Sequence, residues 1–145
     1  MTARFIVCLA AISLLTGAAR AAPKPAETQE CPIEELTYEA RETVIRSAPS
    51  CDRAMELFGL CSYQASRDIP LGAIVREKCE AGFLGRLNAA QRRTYQQGQN
   101  RCAHKYRHES GTMYRSFEAL CGAQLARTYA HRFSKRKSTR PAAGR

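Results

Sequence analysis

His104 and His108 stand four residues apart, the spacing that puts two imidazoles on one side of a helix and lets them share a metal ion. A third ligand of the right kind is not at hand beyond Glu109, and Arg101, Lys105 and Arg107 surround the pair and repel a cation. The spacing therefore reads as two exposed histidines in a basic stretch, with no metal or other cofactor expected. Other reactive arrangements fare no better. Ser110-Gly111 follows no strand and lies in no Gly-x-Ser-x-Gly elbow. There is no Cys-x-x-Cys motif. Glu34 and Glu35 are adjacent, so on a helix they point to different sides and make no carboxylate dyad. A non-enzymatic protein without catalytic residues is expected.

Basic residues are the stronger lead. From Ala81 to His108 there are six bases, Arg86, Arg92, Arg93, Arg101, Lys105 and Arg107, and no acid, with Tyr95 and Tyr106 interleaved. Such a face can hold phosphate or sulfate groups, a look shared with nucleic-acid-binding proteins. The plain alternative is a solvated helix face. The rest of the charge is unevenly placed too. Glu27 to Glu56 holds eight acids against three arginines, and the last fifteen residues carry Arg132, Lys135, Arg136, Lys137, Arg140 and Arg145 and no acid. An acidic end, a basic face and a basic tail are expected, and the basic parts should attract anionic surfaces in a salt-sensitive way.

The cysteines and the amino terminus say where these charges act. Met1 to Arg4 is a short basic start, Phe5 to Leu15 is apolar, and Ala19-Arg20-Ala21 fits the small-x-small rule for cleavage. This is the three-part plan of a secretory signal, with the cut placed after Ala21. Cys8 would leave with the leader. Six cysteines remain, Cys31, Cys51, Cys61, Cys79, Cys102 and Cys121. An even number behind a secretory signal implies an oxidising compartment and a disulfide framework. A periplasmic or secreted protein is expected, which argues against nucleic acid as the partner. It favours lipid phosphates, anionic cell-wall polymers or an acidic protein instead.

The 124 residues after the leader make one domain by size. Residues 22–30, with two prolines and no large apolar side chain, read as a flexible arm, and residues 134–145 as a disordered basic tail. The domain proper then runs over 31–133. Its pattern is helical, with no convincing alternation at period two. Ile33, Leu36, Ala40 and Val44 mark one face of a first helix, with Pro32 in its first turn. A second helix runs from Cys51 to Cys61 behind Ser50 as N-cap, with Cys51, Met55, Phe58 and Cys61 inward. Arg67-Asp68-Ile69-Pro70 reads as a break, and a third helix as Leu71 to Leu84. Asn88 caps a long fourth helix to about Glu109, with Gln91, Tyr95, Gly98, Cys102 and Tyr106 inward. After Ser110-Gly111-Thr112, with Thr112 as cap, the last helix turns Met113, Phe117, Leu120, Cys121, Leu125 and Tyr129 inward. The fold expected is all-α, a small disulfide-stabilised bundle of about five helices ending in a helical hairpin.

That hairpin predicts one cysteine pair. Cys102 and Cys121 lie nine and ten residues either side of Gly111. At about 1.5 Å per residue each sits about 14 Å from the turn, at one level of the hairpin. Cys61 and Cys79 have a similar symmetry about Asp68 to Pro70, which leaves Cys31 for Cys51. The exchanged set, Cys31 with Cys61 and Cys51 with Cys79, stays open, since six cysteines allow fifteen connectivities.

The last third of the chain carries further ordered residues. Leu87-Asn88-Ala89-Ala90-Gln91-Arg92-Arg93 is followed by Arg101-Cys102, by Gly111-Thr112-Met113, by Cys121 and by Arg127-Thr128. Over about residues 84–130 this resembles the N-terminal domain of the LprI family of bacterial lysozyme inhibitors. Thr94 stands where that family has Trp, with Tyr95 one place later, and the six cysteines exceed its usual four. The resemblance implies a small exported helical protein that binds a lysozyme or another envelope protein. The acidic Glu34 to Glu56 end is the part expected to meet a cationic enzyme. The alternative expectation is a cationic envelope protein that binds anionic polymers or membrane surfaces.

Overall fold

The computed structural model describes residues 30–138. The expected leader, all of the arm but Glu30, and the last seven residues lie outside them. Among the described residues the protein is all-helical: α1 (Tyr38–Arg46), α2 (Cys51–Cys61), α3 (Asp68–Glu80), a 3-10 turn (Leu84–Arg86), α4 (Ala89–Lys105) and α5 (Thr112–Ser138).

Local signals start most of these helices. Ser50 Oγ accepts the Arg53 amide at 3.2 Å. Asn88 and Gln91 form a reciprocal capping box, at 2.9 and 3.0 Å. Gly111, at φ +108°, makes the turn into α5. Two starts differ from expectation. Residues 31–37 are not helical; Ile33 N–H turns back to Cys31 C=O at 2.9 Å, and Thr37 caps α1 by accepting the Ala40 amide at 3.2 Å. Leu36 is consequently 68% exposed and Ile45 takes the buried position. The expected break at 67–70 is the start of α3 itself. Pro70 is tolerated there because the first-turn amides have no intrahelical acceptor to lose. At the other end α5 runs to Ser138, so 134–138 are helical rather than tail. Nothing between Phe133 and Ser138 breaks a helix, and cations suit a helix C-terminus.

The core is built around α3 and α5. Ile45, Leu57, Phe58, Leu71, Val75 and Phe83 are buried. Phe83, Tyr95 and Tyr129 form a ring cluster with centroids 4.9 to 5.5 Å apart. The α3–α5 contact is close: a Cβ on Gly72 would lie 2.9 Å from Ala119 Cβ. That proximity reverses part of the expected inner face of α5. Ser116, Gly122, Ala123 and Ala126 are buried, whereas Met113, Phe117 and Leu120 are 44%, 37% and 41% exposed. Small side chains let the two axes approach, and the large ones are left on the far side.

Three disulfides staple the bundle, which points to oxidising surroundings. Cys102 is bonded to Cys121, Cα atoms 5.5 Å apart, as the hairpin predicts. The other two are the exchanged set, Cys31–Cys61 and Cys51–Cys79, rather than Cys61–Cys79 with Cys31–Cys51. The symmetry about residues 68–70 fails because α2 ends at Cys61 itself. Cys61 is therefore beside the start of α3, while Cys79 is eleven residues along it, about 16 Å away. Cys51 opens the antiparallel α2 at that distant level and meets Cys79 there. Helix α2 is thus tied at both ends.

Candidate functional site

Helices α4 and α5 are held side by side by the Cys102–Cys121 bond and joined by a short turn at Gly111. On their outer side lies an open hollow of about 750 Å³. Its floor is apolar, made by Leu125 and the disulfide, and Gly98 admits Leu125 because a Cβ there would lie 2.7 Å from Leu125 Cδ2. Its rim is cationic: Arg101, His104, Lys105, Arg107 and His108.

Helix α4 can crowd these bases because it contains no acid, and because His104 and Lys105 fall in its last turn, where the helix dipole favours positive charge. The rim gathers three bases that face no carboxylate among the described residues. Arg46, Arg53, Arg76, Arg115 and Arg127 each face a Glu or Asp within 4 Å. Among the described residues Arg101, Lys105 and Arg107 face none. Lys105 Nζ lies 5.0 Å from the centre of the Tyr106 ring, and Arg107 Nε donates to His108 Nε2 at 2.9 Å. The rim therefore presents positive charge not neutralised by the protein's own acids.

The six bases expected to form one anion-binding face are divided by the fold. Arg101, Lys105 and Arg107 line the hollow. Arg86 and Arg92 are engaged elsewhere. The Arg86 guanidinium donates to the carbonyls of Gly82 and Phe133 and lies 5.6 Å from the Phe133 ring. Arg92 donates to Leu84 C=O at 3.2 Å. Arg92 thus binds the 3-10 turn before α4, and Arg86, within that turn, ties it to α5. Arg93 is exposed near that end, about 12 Å along the helix from Arg101. The histidine pair stands on the hollow's rim, and among the described residues no three His, Cys, Asp or Glu side chains gather as a metal site would require.

The acidic end is largely paired. Glu42 meets Arg46 at 2.7 Å and Glu56 meets Arg53 at 2.8 Å. Asp52 accepts from Arg127 Nε at 2.6 Å and lies 2.7 Å from His131 Nε2, which together clamp α2 to α5. The Arg127 bond first, with His131 adding to it, holds the Asp52 carboxyl below the usual range against the opposing effect of burial. Glu34, Glu35 and Glu39 remain exposed, with Leu36 between them.

Two buried polar groups have no local sequence signal. Asp68 is fully buried and accepts from the amides of Tyr63 and Ala65 at 2.7 and 3.3 Å and from Ser116 Oγ at 2.5 Å. Tyr95 donates to Glu80 Oε1 at 2.6 Å and accepts from Gln99 Nε2 at 2.7 Å, which also donates to Gly122 C=O at 3.1 Å. Burial first, then the Glu80 hydrogen bond, raises the Tyr95 hydroxyl above its ordinary pKa. These networks hold α3, α4 and α5 in register.

No protein-family model, curated protein or solved structure matches this chain.

Proposed function

We propose that this is an exported, non-enzymatic helical binding protein that takes anionic groups of the cell envelope at the α4–α5 hollow. The compartment it would serve is periplasmic or extracellular, in keeping with three disulfides. The observation that carries the proposal is the set of three bases, Arg101, Lys105 and Arg107, lying without carboxylate partners around an apolar floor. A phosphate or sulfate would meet charge-assisted donors there, and an adjoining apolar moiety would cover Leu125. Binding of a sulfated polymer such as heparin, measured by calorimetry across a salt series, tests it. The expected result is salt-sensitive affinity that Arg101→Ala with Lys105→Ala lowers at least ten-fold. Undiminished binding by that pair removes the hollow from consideration.

A second reading follows from Leu36, which is 68% exposed within the segment holding Glu34, Glu35 and Glu39. An exposed apolar side chain in an acidic segment, on a loop tethered by Cys31–Cys61, suits the cleft of a cationic enzyme. It supports the lysozyme-inhibitor role that the resemblance to the LprI family implies. A bacterial-lysis assay with several lysozyme types tests it. Slowed lysis that Leu36→Asp relieves is expected, and unchanged lysis rates throughout discard it.

A further inference from the structure

The end of the α4–α5 hairpin carries an apolar stripe that the bundle leaves open. Met113, Phe117 and Leu120 recur at spacings of four and three, so they share one side of α5, and they are 44%, 37% and 41% exposed. Two tyrosines extend the stripe. Tyr106, at the end of α4, and Tyr114 have ring centres 5.8 and 6.0 Å from that of Phe117 and 5.9 Å from each other. Five large apolar or aromatic side chains therefore meet at one end of the molecule. A contiguous patch of this kind marks an interaction surface.

The charges beside it say what it meets. Lys105 Nζ lies 5.0 Å from the Tyr106 ring, so the cationic rim of the hollow and the stripe are continuous. On α5, Tyr114 and Cys121 lie on the side of Phe117 that turns towards the hollow, by helix arithmetic. Among the described residues Arg101, Lys105 and Arg107 lie here without carboxylate partners, while Arg115 is paired with Glu118. A second copy docking through this end would bring two sets of like charges together. An anionic bilayer has the complementary arrangement: phosphates at the level of the cations, a polar interface for the tyrosine hydroxyls, and acyl chains just beneath for Phe117, Met113 and Leu120. Among the described residues no helix is long and apolar enough to cross a membrane, so contact would be with the surface.

We infer that the end of the α4–α5 hairpin docks on a membrane surface rich in anionic phospholipid. Met113, Phe117 and Leu120 enter the interface, and Arg101, Lys105 and Arg107 hold lipid phosphates. The inference rests on the anion-binding reading of the hollow and specifies its partner.

The chain contains no tryptophan, so Phe117→Trp places a single reporter in the stripe. The oxidised protein carrying it is mixed with phosphatidylglycerol–phosphatidylcholine vesicles, with pure phosphatidylcholine vesicles, with heparin and with inorganic phosphate. The expected result is a blue-shifted emission with the anionic vesicles alone, which localises contact to the hairpin rather than to the basic C-terminal residues. Phe117→Ser with Leu120→Ser, both exposed and thus compatible with the fold, should weaken sedimentation with anionic vesicles about ten-fold while heparin binding stays unchanged. Arg101→Ala with Lys105→Ala should weaken both. Heparin binding without any vesicle response overturns the membrane inference and leaves the anion site standing; no binding to any partner overturns both. Vesicle binding indifferent to the serine pair, or a concentration-dependent dimer that shifts the Trp emission in the absence of lipid, also overturns it.

Discussion

Ser116 and Asp68, 48 residues apart, are joined inside the bundle by a 2.5 Å hydrogen bond in which the serine hydroxyl donates to the carboxylate. The same carboxylate accepts the Tyr63 and Ala65 amides. One side chain thus satisfies the loop between α2 and α3 and fixes α5 against it. Asp68→Ala leaves two amides and a hydroxyl without this acceptor and should cost about 3 kcal/mol in urea unfolding. Ser116→Ala removes only one donor and should cost about 1 kcal/mol. Equal losses would contradict this division of roles.

Gly72 tests the closeness of α3 and α5. Replacing a helical glycine by alanine ordinarily gains up to about 1 kcal/mol of helix propensity. Here the new Cβ would lie 2.9 Å from Ala119 Cβ and 3.1 Å from its carbonyl oxygen, and backbone cannot swing aside. Gly72→Ala should therefore destabilise by about 1–3 kcal/mol. Gly98→Ala meets only the flexible end of Leu125 and should be milder.

The Asp52 clamp gives an acid-side prediction. Its carboxyl is held below the ordinary value by Arg127 and His131. A depressed folded-state value means that the contribution is complete above the unfolded carboxylate pKa of about 3.9 and fades as the pH falls through the folded one. Unfolding midpoints of the parent and Asp52→Asn should therefore differ at pH 6 and converge as the pH falls through the folded-state value. A gap that acidification leaves unchanged would contradict the role given to the carboxylate.

Tyr95 gives the alkaline counterpart. Its hydroxyl is raised by burial and by the bond to Glu80, so the fold favours the neutral phenol. That contribution is complete below the ordinary tyrosine pKa of about 10 and is lost as the pH climbs through the folded value. In a spectrophotometric titration one tyrosine should resist ionisation until the protein unfolds, and Tyr95→Phe should abolish that late step. The substitution should cost about 1–2 kcal/mol at neutral pH, because Gln99 loses an acceptor and Glu80 a donor.

Removing the Cys102–Cys121 bond by a double alanine substitution should lower stability by about 3 kcal/mol and loosen the hollow it floors. Heparin affinity should fall in parallel with lost protection of α4 amides in hydrogen exchange.

What was legible beforehand is what local chemistry encodes. Ser50 stands directly before a periodic apolar run and Asn88 three residues before Gln91, so α2 and α4 could be placed with their caps. The Gly111 turn made the Cys102–Cys121 level a matter of counting. Long-range pressures were not legible. Asp68 has no sequence cue for a partner 48 residues away. The face of α5 was misassigned because periodicity rewards large side chains, whereas the approach to Gly72 requires Ser116, Ala119, Ala123 and Ala126. The basic run looked continuous in sequence, yet carbonyls of the 3-10 turn region take Arg86 and Arg92 away from the hollow.

The crossed bonds Cys31–Cys61 and Cys51–Cys79 bear on biogenesis. In a chain threaded amino-terminus first into an oxidising space, Cys31 and Cys51 emerge before Cys61 and Cys79, and the first two are not mates. Any bridge formed between them in order of emergence has to be reopened by thiolate attack before the native pairs can close. Yield of the natively bridged protein should accordingly depend on a disulfide isomerase, and not on an oxidant alone.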